Sequence, residues 1–248
     1  MKKSLSMFMT LAVLLCFAAA VPSVSAVSVN DALLSYIAGD VNGDWAVTSS
    51  DVRTVYASVA GESADTALPK AADVNADGAV NAMDVLLSLQ TTVGAVESVL
   101  LKPAQVALEA TPAGDAVSFE KNYSDHQYAH DQWWQGDVNK VWVAQSLKEL
   151  QAVYAHSDCV KDFSAEYDEA FFADKAVIVW EVGYEDYGLM GISMKGIVKS
   201  GSQLCLVREL DYFLTMGCWD YDRYILEISK ADLEGVDSIC TVTEKTYR

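Results

Sequence analysis

Beyond Ala26 the sequence has no apolar run approaching the roughly 20 residues a membrane-crossing helix needs, so nothing in the remaining chain is expected to insert into a bilayer. Positive charge is scarce. The 17 Lys and Arg residues face 35 Asp and Glu, for a net charge of −18. Such a chain repels nucleic acid phosphates and anionic head groups and favours divalent cations. Histidine occurs only three times, there is no His-Glu-x-x-His pair, and no glycine-rich phosphate loop appears. Cysteine is missing from the whole stretch between Cys16 and Cys159. Cys159, Cys205, Cys218 and Cys240 allow two disulfides in three connectivities, or buried thiols, and their spacing is not that of a zinc knuckle.

At the N-terminus, Lys2 and Lys3 precede an apolar stretch around Met7 to Ala20, and Val24-Ser25-Ala26 supplies the small residues that signal peptidase requires. Residues 1–26 are therefore read as a signal peptide and the protein as secreted. Leu14 and Leu15, ahead of Cys16, argue against a lipid anchor. Removing the leader leaves 222 residues with 15 basic and 35 acidic side chains, enough chain for two modest domains.

The strongest internal signal is a repeat. Gly39-Asp40-Val41-Asn42-Gly43-Asp44-Trp45-Ala46-Val47-Thr48-Ser49-Ser50-Asp51 returns 33 residues later as Ala72-Asp73-Val74-Asn75-Ala76-Asp77-Gly78-Ala79-Val80-Asn81-Ala82-Met83-Asp84. Each copy sets Asp, Asn and Asp at loop positions one, three and five and Asp at position twelve, the spacing of an EF-hand-type calcium loop. The expected ligands are Asp40, Asn42, Asp44, the Ala46 carbonyl, Thr48 and Asp51 in one loop. In the other they are Asp73, Asn75, Asp77, the Ala79 carbonyl, Asn81 and Asp84, so two Ca2+ ions are predicted. Asp/Asn-rich turns offer a blander reading, but four matched acidic or amide positions recurring together disfavour it. Val47 and Val80, at position eight, are expected to face inward. Trp45 stands at the sharp turn where such loops use Gly, which predicts strain or weaker binding in the first loop.

Each loop runs into an apolar stretch at helical spacing, Val52 to Val59 and Val85 to Val93, ending near Gly61 or Gly94, and neither loop has a long helix before it. Two loop-helix units of this kind, covering about residues 39–95 with Asp-Val-Asn-x-Asp openings, resemble the dockerin family. The resemblance implies a small all-α calcium-binding domain of two loop-helix repeats that binds the cohesin domain of a scaffold protein. It also implies contact positions just before the terminal Asp and along the following helix: Ser49, Ser50, Tyr56 and Ala57 in the first copy, Ala82, Met83, Leu89 and Gln90 in the second. Tyr56 and Leu89 are equally readable as core residues. Residues 28–38 are expected to add an accessory helix, making residues 28–96 the docking unit.

Residues 97–118, with Pro103, Pro112 and Ala110-Thr111-Pro112-Ala113-Gly114-Asp115, read as a linker. A cargo domain is expected over 119–248. Val138 to Ala144 reads as a strand, and Ser146-Leu147-Lys148-Glu149 as a capping box opening a helix through about His156. Residues 167–174 read as a helical turn, and strands are expected at 175–182, 190–199, 203–210, 223–229 and 238–243. The predicted class is α+β with a mainly antiparallel sheet. This order, with Tyr167-Asp168-Glu169-Ala170-Phe171-Phe172, the strand after it, Trp219 and Tyr224 to Ile228, looks like small cell-surface modules related to the C-terminal domain of PrcB-type protease-complex subunits.

No catalytic constellation stands out in the cargo. A glycoside hydrolase, the enzyme class favoured by a dockerin context, needs paired carboxylates. Glu181, Glu185, Asp186, Glu209, Asp211, Asp220, Asp222 and Glu227 qualify by type alone and read mostly as solvated charge. His126 and His130 would share a face if their segment were helical, and Cys159 lies near His156, but neither pair forms a recognisable site. Trp142 and Trp180 sit within apolar strands and read as core. Trp133, Trp134 and Trp219 read as surface aromatics able to carry sugar rings or a protein partner. The expected function is a secreted scaffold-docking protein with a non-catalytic binding or accessory domain, in a cellulosome-type polysaccharide-degrading assembly. A small hydrolase or a protease-modulating module in the C-terminal position is the alternative.

Overall fold

The computed structural model describes residues 33, 35–62, 69–101, 105–128, 139–156, 163–186, 189–212 and 218–247. The leader at 1–26 and His130, Trp133, Trp134 and Cys159 lie outside them. None of the helices among the described residues is long and apolar enough to cross a membrane.

The N-terminal module contains strand β1 (Tyr36–Ile37), helix α1 (Ser49–Val59), a 3-10 turn at Pro69–Ala72, helix α2 (Ala82–Thr92) and strand β2 (Leu100–Leu101). Both helices begin where a polar side chain occupies the N-cap: Thr48 accepts from Ser50 N–H and Asn81 from Met83 N–H, with Asp51 and Asp84 completing capping boxes. Between the helices lies a small core of Val41, Val55, Ala71 and Ala72, against which Tyr36 and Val85 pack. Two expectations are corrected. The module is not all-α, because β1 pairs antiparallel with β2, Tyr36 opposite Leu101 and Ile37 opposite Leu100. Of the accessory helix expected at 28–38, residues 28–32 and 34 lie outside the described residues, and Tyr36–Ile37 form a strand.

The C-terminal region is rich in sheet. One sheet has the order β5 (Phe119–Tyr128), β10 (Cys218–Ser229), β7 (Lys175–Asp186), β6 (Asn139–Ala144). The other runs β3 (Gln105–Leu108), β11 (Ser238–Tyr247), β9 (Gln203–Tyr212), β8 (Leu189–Ser200), β4 (Asp115–Val117). The run Ala176 to Val182 shows no alternation of apolar and polar residues because both faces of β7 are covered. Ala176, Ile178, Trp180 and Val182 join the core between the sheets with Val141, Val143, Tyr224, Leu226, Leu204 and Leu206. Val177 and Val179 point the other way, into a second core with Trp142, Leu150, Val153, Phe163, Phe172 and Ile225, roofed by helix α3 (Leu147–His156) and two 3-10 turns, Ser164–Glu166 and Phe171–Ala173. Three layers result: helix and turns, sheet, sheet. Trp142 and Trp180 are core residues, as their strand context predicts.

Antiparallel pairing dominates, with one exception the residue pattern did not foreshadow. β11 lies parallel to both β9 and β3, because β10, in the opposite sheet, serves as the crossover between β9 and β11. The stretch read as a linker, 97–118, holds β2, β3 and β4; β3 pairs with β11 and β4 with β8. The polar segment Phe119–Tyr128, to which no element was assigned, is edge strand β5, and it places His126 on a strand instead of a helix face. Cys205 and Cys240 stand opposite each other in the β9/β11 register, 4.4 Å apart at Cα, and form a disulfide.

Candidate calcium loops and docking face

The two loops are closed by a shared set of hydrogen bonds at equivalent positions, to which the first adds bonds from Gly43 N–H and the Thr48 hydroxyl. In the first, Asp40 Oδ1 accepts from Gly43 N–H (2.8 Å) and Asp44 N–H (3.2 Å), and Oδ2 accepts from Trp45 N–H at 2.7 Å. Asn42 Oδ1 accepts from Asp44 N–H (2.9 Å), and Asp44 Oδ1 from Ala46 N–H (3.0 Å). Asp51 then ties the end of the loop to its start. Its Oδ1 accepts from Val41 and Asn42 N–H at 3.2 and 3.3 Å, and its Oδ2 accepts from the N–H and hydroxyl of Thr48 at 2.9 and 2.8 Å. In the second loop Asp73 receives Asp77 N–H (3.1 Å) and Gly78 N–H (2.8 Å). Asn75 Oδ1 receives Asp77 N–H (3.0 Å), and Asp77 Oδ1 receives Ala79 N–H (2.9 Å). Asp84 reaches back to Val74 and Asn75 N–H at 2.9 and 3.4 Å and holds Asn81 N–H at 2.8 Å. Ten residues separate Val41 from Asp51 and Val74 from Asp84, so the terminal aspartate plays one role twice: loop closure and helix capping.

Asp40, Asp51 and Asp84 are fully buried. Burial pushes the Asp40 carboxyl above the ordinary aspartate range, the amides of Trp45, Gly43 and Asp44 pull it back, and the nearby Asp51 charge raises it further. Among the described residues no three His, Cys, Asp or Glu side chains converge at ligating distance. The carboxylates are turned onto backbone N–H groups instead. The donor set nonetheless fits a hard cation. Every candidate atom on Asp40, Asn42, Asp44, Ala46, Thr48 and Asp51, and on Asp73, Asn75, Asp77, Ala79, Asn81 and Asp84, is an oxygen, and the buried carboxylates are groups whose ionised form a divalent cation would favour. One expectation about the loops is corrected: Val80 is 40 % exposed and does not anchor its loop, whereas Val47 is half-buried beside Gly39.

Sequence pattern pointed to one unusual turn residue and missed its counterpart. Trp45 has φ +69° and Ala76 φ +56°, while Gly43 and Gly78 have φ +74° and +88°. Each loop thus needs a left-handed backbone at positions four and six, and each meets that need with one glycine and one other residue. The signal was present in the aligned copies, where Gly43 faces Ala76 and Trp45 faces Gly78.

Of the positions assigned to partner contact, Ser49, Ser50, Ala82 and Met83 are exposed at the helix starts, and Ala57 and Gln90 are half-buried. Tyr56 is 61 % and Leu89 48 % exposed, which removes the core reading for both. Met83, Leu86 and Leu89 of α2 and its C-cap Val93 form an apolar stripe that is open to solvent. The equivalent positions of α1 carry Ser50, Arg53, Tyr56 and Ala60.

Of the acidic candidates in the C-terminal region, Glu181, Glu185, Asp186, Asp220, Asp222 and Glu227 share the paired strands β7 and β10, and Glu209 and Asp211 lie on β9 of the other sheet. Glu181 is fully buried and paired with Arg223, Oε1 to Nη2 at 3.0 Å, on the helix-covered face, which corrects its reading as solvated charge. Glu227 accepts from Tyr167 Oη at 3.1 Å, and Glu209 accepts from the Thr246 hydroxyl at 2.6 Å. Asp211 lies near the end of β9, Glu185 and Asp186 end β7, and Asp220 and Asp222 lie in β10. His156 is the last residue of α3.

Residues 38–88 match the family model of the dockerin type I domain. No curated protein and no solved structure matches the chain, so the likeness of the C-terminal region to PrcB-type modules finds no support there. Over residues 38–88 the chain carries a dockerin type I domain and, at the level of that family, calcium binding and docking to cohesin domains in cellulosome-type assemblies.

Proposed function

We propose that this is a secreted docking protein that loads two Ca2+ ions, one per loop. It presents Ser49, Ser50, Tyr56 and Ala57 of the first repeat and Ala82, Met83, Leu89 and Gln90 of the second to a scaffold cohesin. Residues 28–96 are the docking unit, 1–26 the export signal and 119–248 the cargo, whose sheet also takes in β3 and β4 from the stretch 97–118. The cargo is a non-catalytic binding or accessory domain for a polysaccharide or a protein in a polysaccharide-degrading assembly. The observation that carries this reading is the duplicated loop closure, in which Asp51 and Asp84 each cap a helix and draw the start of their own loop onto it. A ligand at such a loop sets the orientation of the helix that follows.

The test is calorimetric titration of the full chain, after removal of the leader, with calcium and then with a panel of cohesins. Two calcium equivalents are expected, followed by calcium-dependent cohesin binding. The double variant Asp40→Ala, Asp73→Ala should lose both responses. Leu89→Asp should keep calcium uptake and helix content, because the side chain is solvent-facing, while weakening cohesin binding by about tenfold or more. Calcium uptake without affinity for any cohesin would refute the docking role.

A further inference from the structure

The docking domain and the sheets behind it meet through residues 33–40. Leu33 is completely buried in the core between the two sheets, among Val141, Ile178, Trp180 and Leu226. Two residues on, Ser35 N–H donates to Glu149 Oε1 at 2.8 Å inside the protein, across 114 positions of sequence. Glu149 Oε2 accepts from Gln145 N–H, also at 2.8 Å, so one buried carboxyl holds both the start of α3 and the incoming chain. Tyr36 then packs on the docking domain's own core, Tyr36 and Ile37 pair with Leu101 and Leu100, and Ala38 N–H donates to Val99 O at 2.9 Å. Leu100 packs against the helix-covered core. Gly39 N–H donates to Ala71 O at 2.8 Å, and the next residue is Asp40, position one of the first loop. Leu33 and residues 35–40 are thus each fixed by packing, pairing or hydrogen bonds on the way from the interior of the C-terminal sheets to the first calcium loop.

We propose that Leu33 and residues 35–40 act as a strap, clasped by Glu149, that seats the docking domain on the C-terminal sheets, so that the two unfold as one body and calcium taken up by the first loop stabilises the sheets. Coupling of this kind is reciprocal: whatever holds the strap in place favours the loop, and whatever orders the loop favours the seated strap. The calcium part rests on the proposed loading of the loops; the strap itself does not.

Hydrogen exchange of the full chain, read by mass spectrometry with calcium and with chelator, separates the two. Calcium is expected to slow exchange not only over 40–51 and 73–84 but also over 147–154 and 175–182, by about a hundredfold at a concentration about 100 times Kd. Glu149→Gln, which keeps one acceptor oxygen and loses the other, should cut the slowing over 175–182 at least about tenfold while leaving it in the loops. Slowing confined to the loops in the parent protein would overturn the proposal, as would undiminished coupling in Glu149→Gln. If calcium alters neither region, the loading of the loops fails and Leu33→Ala decides the strap alone. A drop in the C-terminal unfolding midpoint of roughly 5–15 °C supports seating, and an unchanged midpoint refutes it.

Discussion

Trp45 and Ala76 hold backbone angles that glycine would hold at less cost. The left-handed region disfavours a residue with a Cβ by about 1–2 kcal/mol, partly offset by the greater entropy that glycine loses on folding. Ala76 is exposed, so replacing it removes no packing. Ala76→Gly is expected to stabilise the calcium-free protein by up to about 1 kcal/mol in urea denaturation. Trp45→Gly should gain less, because Trp45 is half-buried in the wall of a groove of about 500 Å³ that Ile37 and Val47 also line, and that burial would be lost. Glu149 gives a second measurable signature. Burial pushes its carboxyl up to about 8, against the pull of the Gln145 and Ser35 amides and of the Lys230 ammonium, on the 3-10 turn Lys230–Leu233, near which Asp174 and Glu169 also lie. The folded protein keeps a proton that the unfolded chain releases above about pH 4.5, so folding binds a proton between those values and stability falls as pH rises from about 4.5 to about 8. Denaturation midpoints measured across that range should decline more steeply for the parent than for Glu149→Gln. Equal slopes would show that Glu149 is ionised throughout.

Among the elements, strands β7, β8, β9 and β11 and helix α3 fall where their residue patterns place them, because β-branched runs and a Ser146 cap act locally. Ser146 Oγ accepts from Glu149 N–H at 3.2 Å, as a capping box requires, but the Glu149 carboxyl reaches Gln145 and Ser35 instead of closing the box on Ser146. Element pattern failed at β5 and at β3 and β4, where polar or proline-bearing stretches become strands only because neighbouring edges supply hydrogen-bond partners. The Cys205–Cys240 disulfide joins two adjacent parallel strands across 35 residues. By the loop-entropy estimate its reduction should cost roughly 3–4 kcal/mol. Scanning calorimetry with and without reductant should therefore show a clear fall in the transition of the C-terminal sheets, and no change would mean the link spans a part that is already rigid.

At the scale of the whole molecule, a docking domain whose core holds four buried residues among those described is joined to a three-layer sandwich with two large cores. The proposed calcium loading and strap would order the smaller body, whereas apolar burial orders the larger. The loops, their caps and the helices after them were determined by the sequence alone, since Asp40 to Asp51 and Asp73 to Asp84 act within a dozen residues of one another and the repeat states each requirement twice. The exposure of Tyr56 and Leu89, the strap at 33–40, the strands within 97–118, the parallel setting of β11 and the pairing of Cys205 with Cys240 were decided only by tertiary structure. Each depends on partners far along the chain, as Ser35 depends on Glu149 across 114 residues, and a polar edge strand or a lone buried leucine carries no local signature of the partner that will hold it.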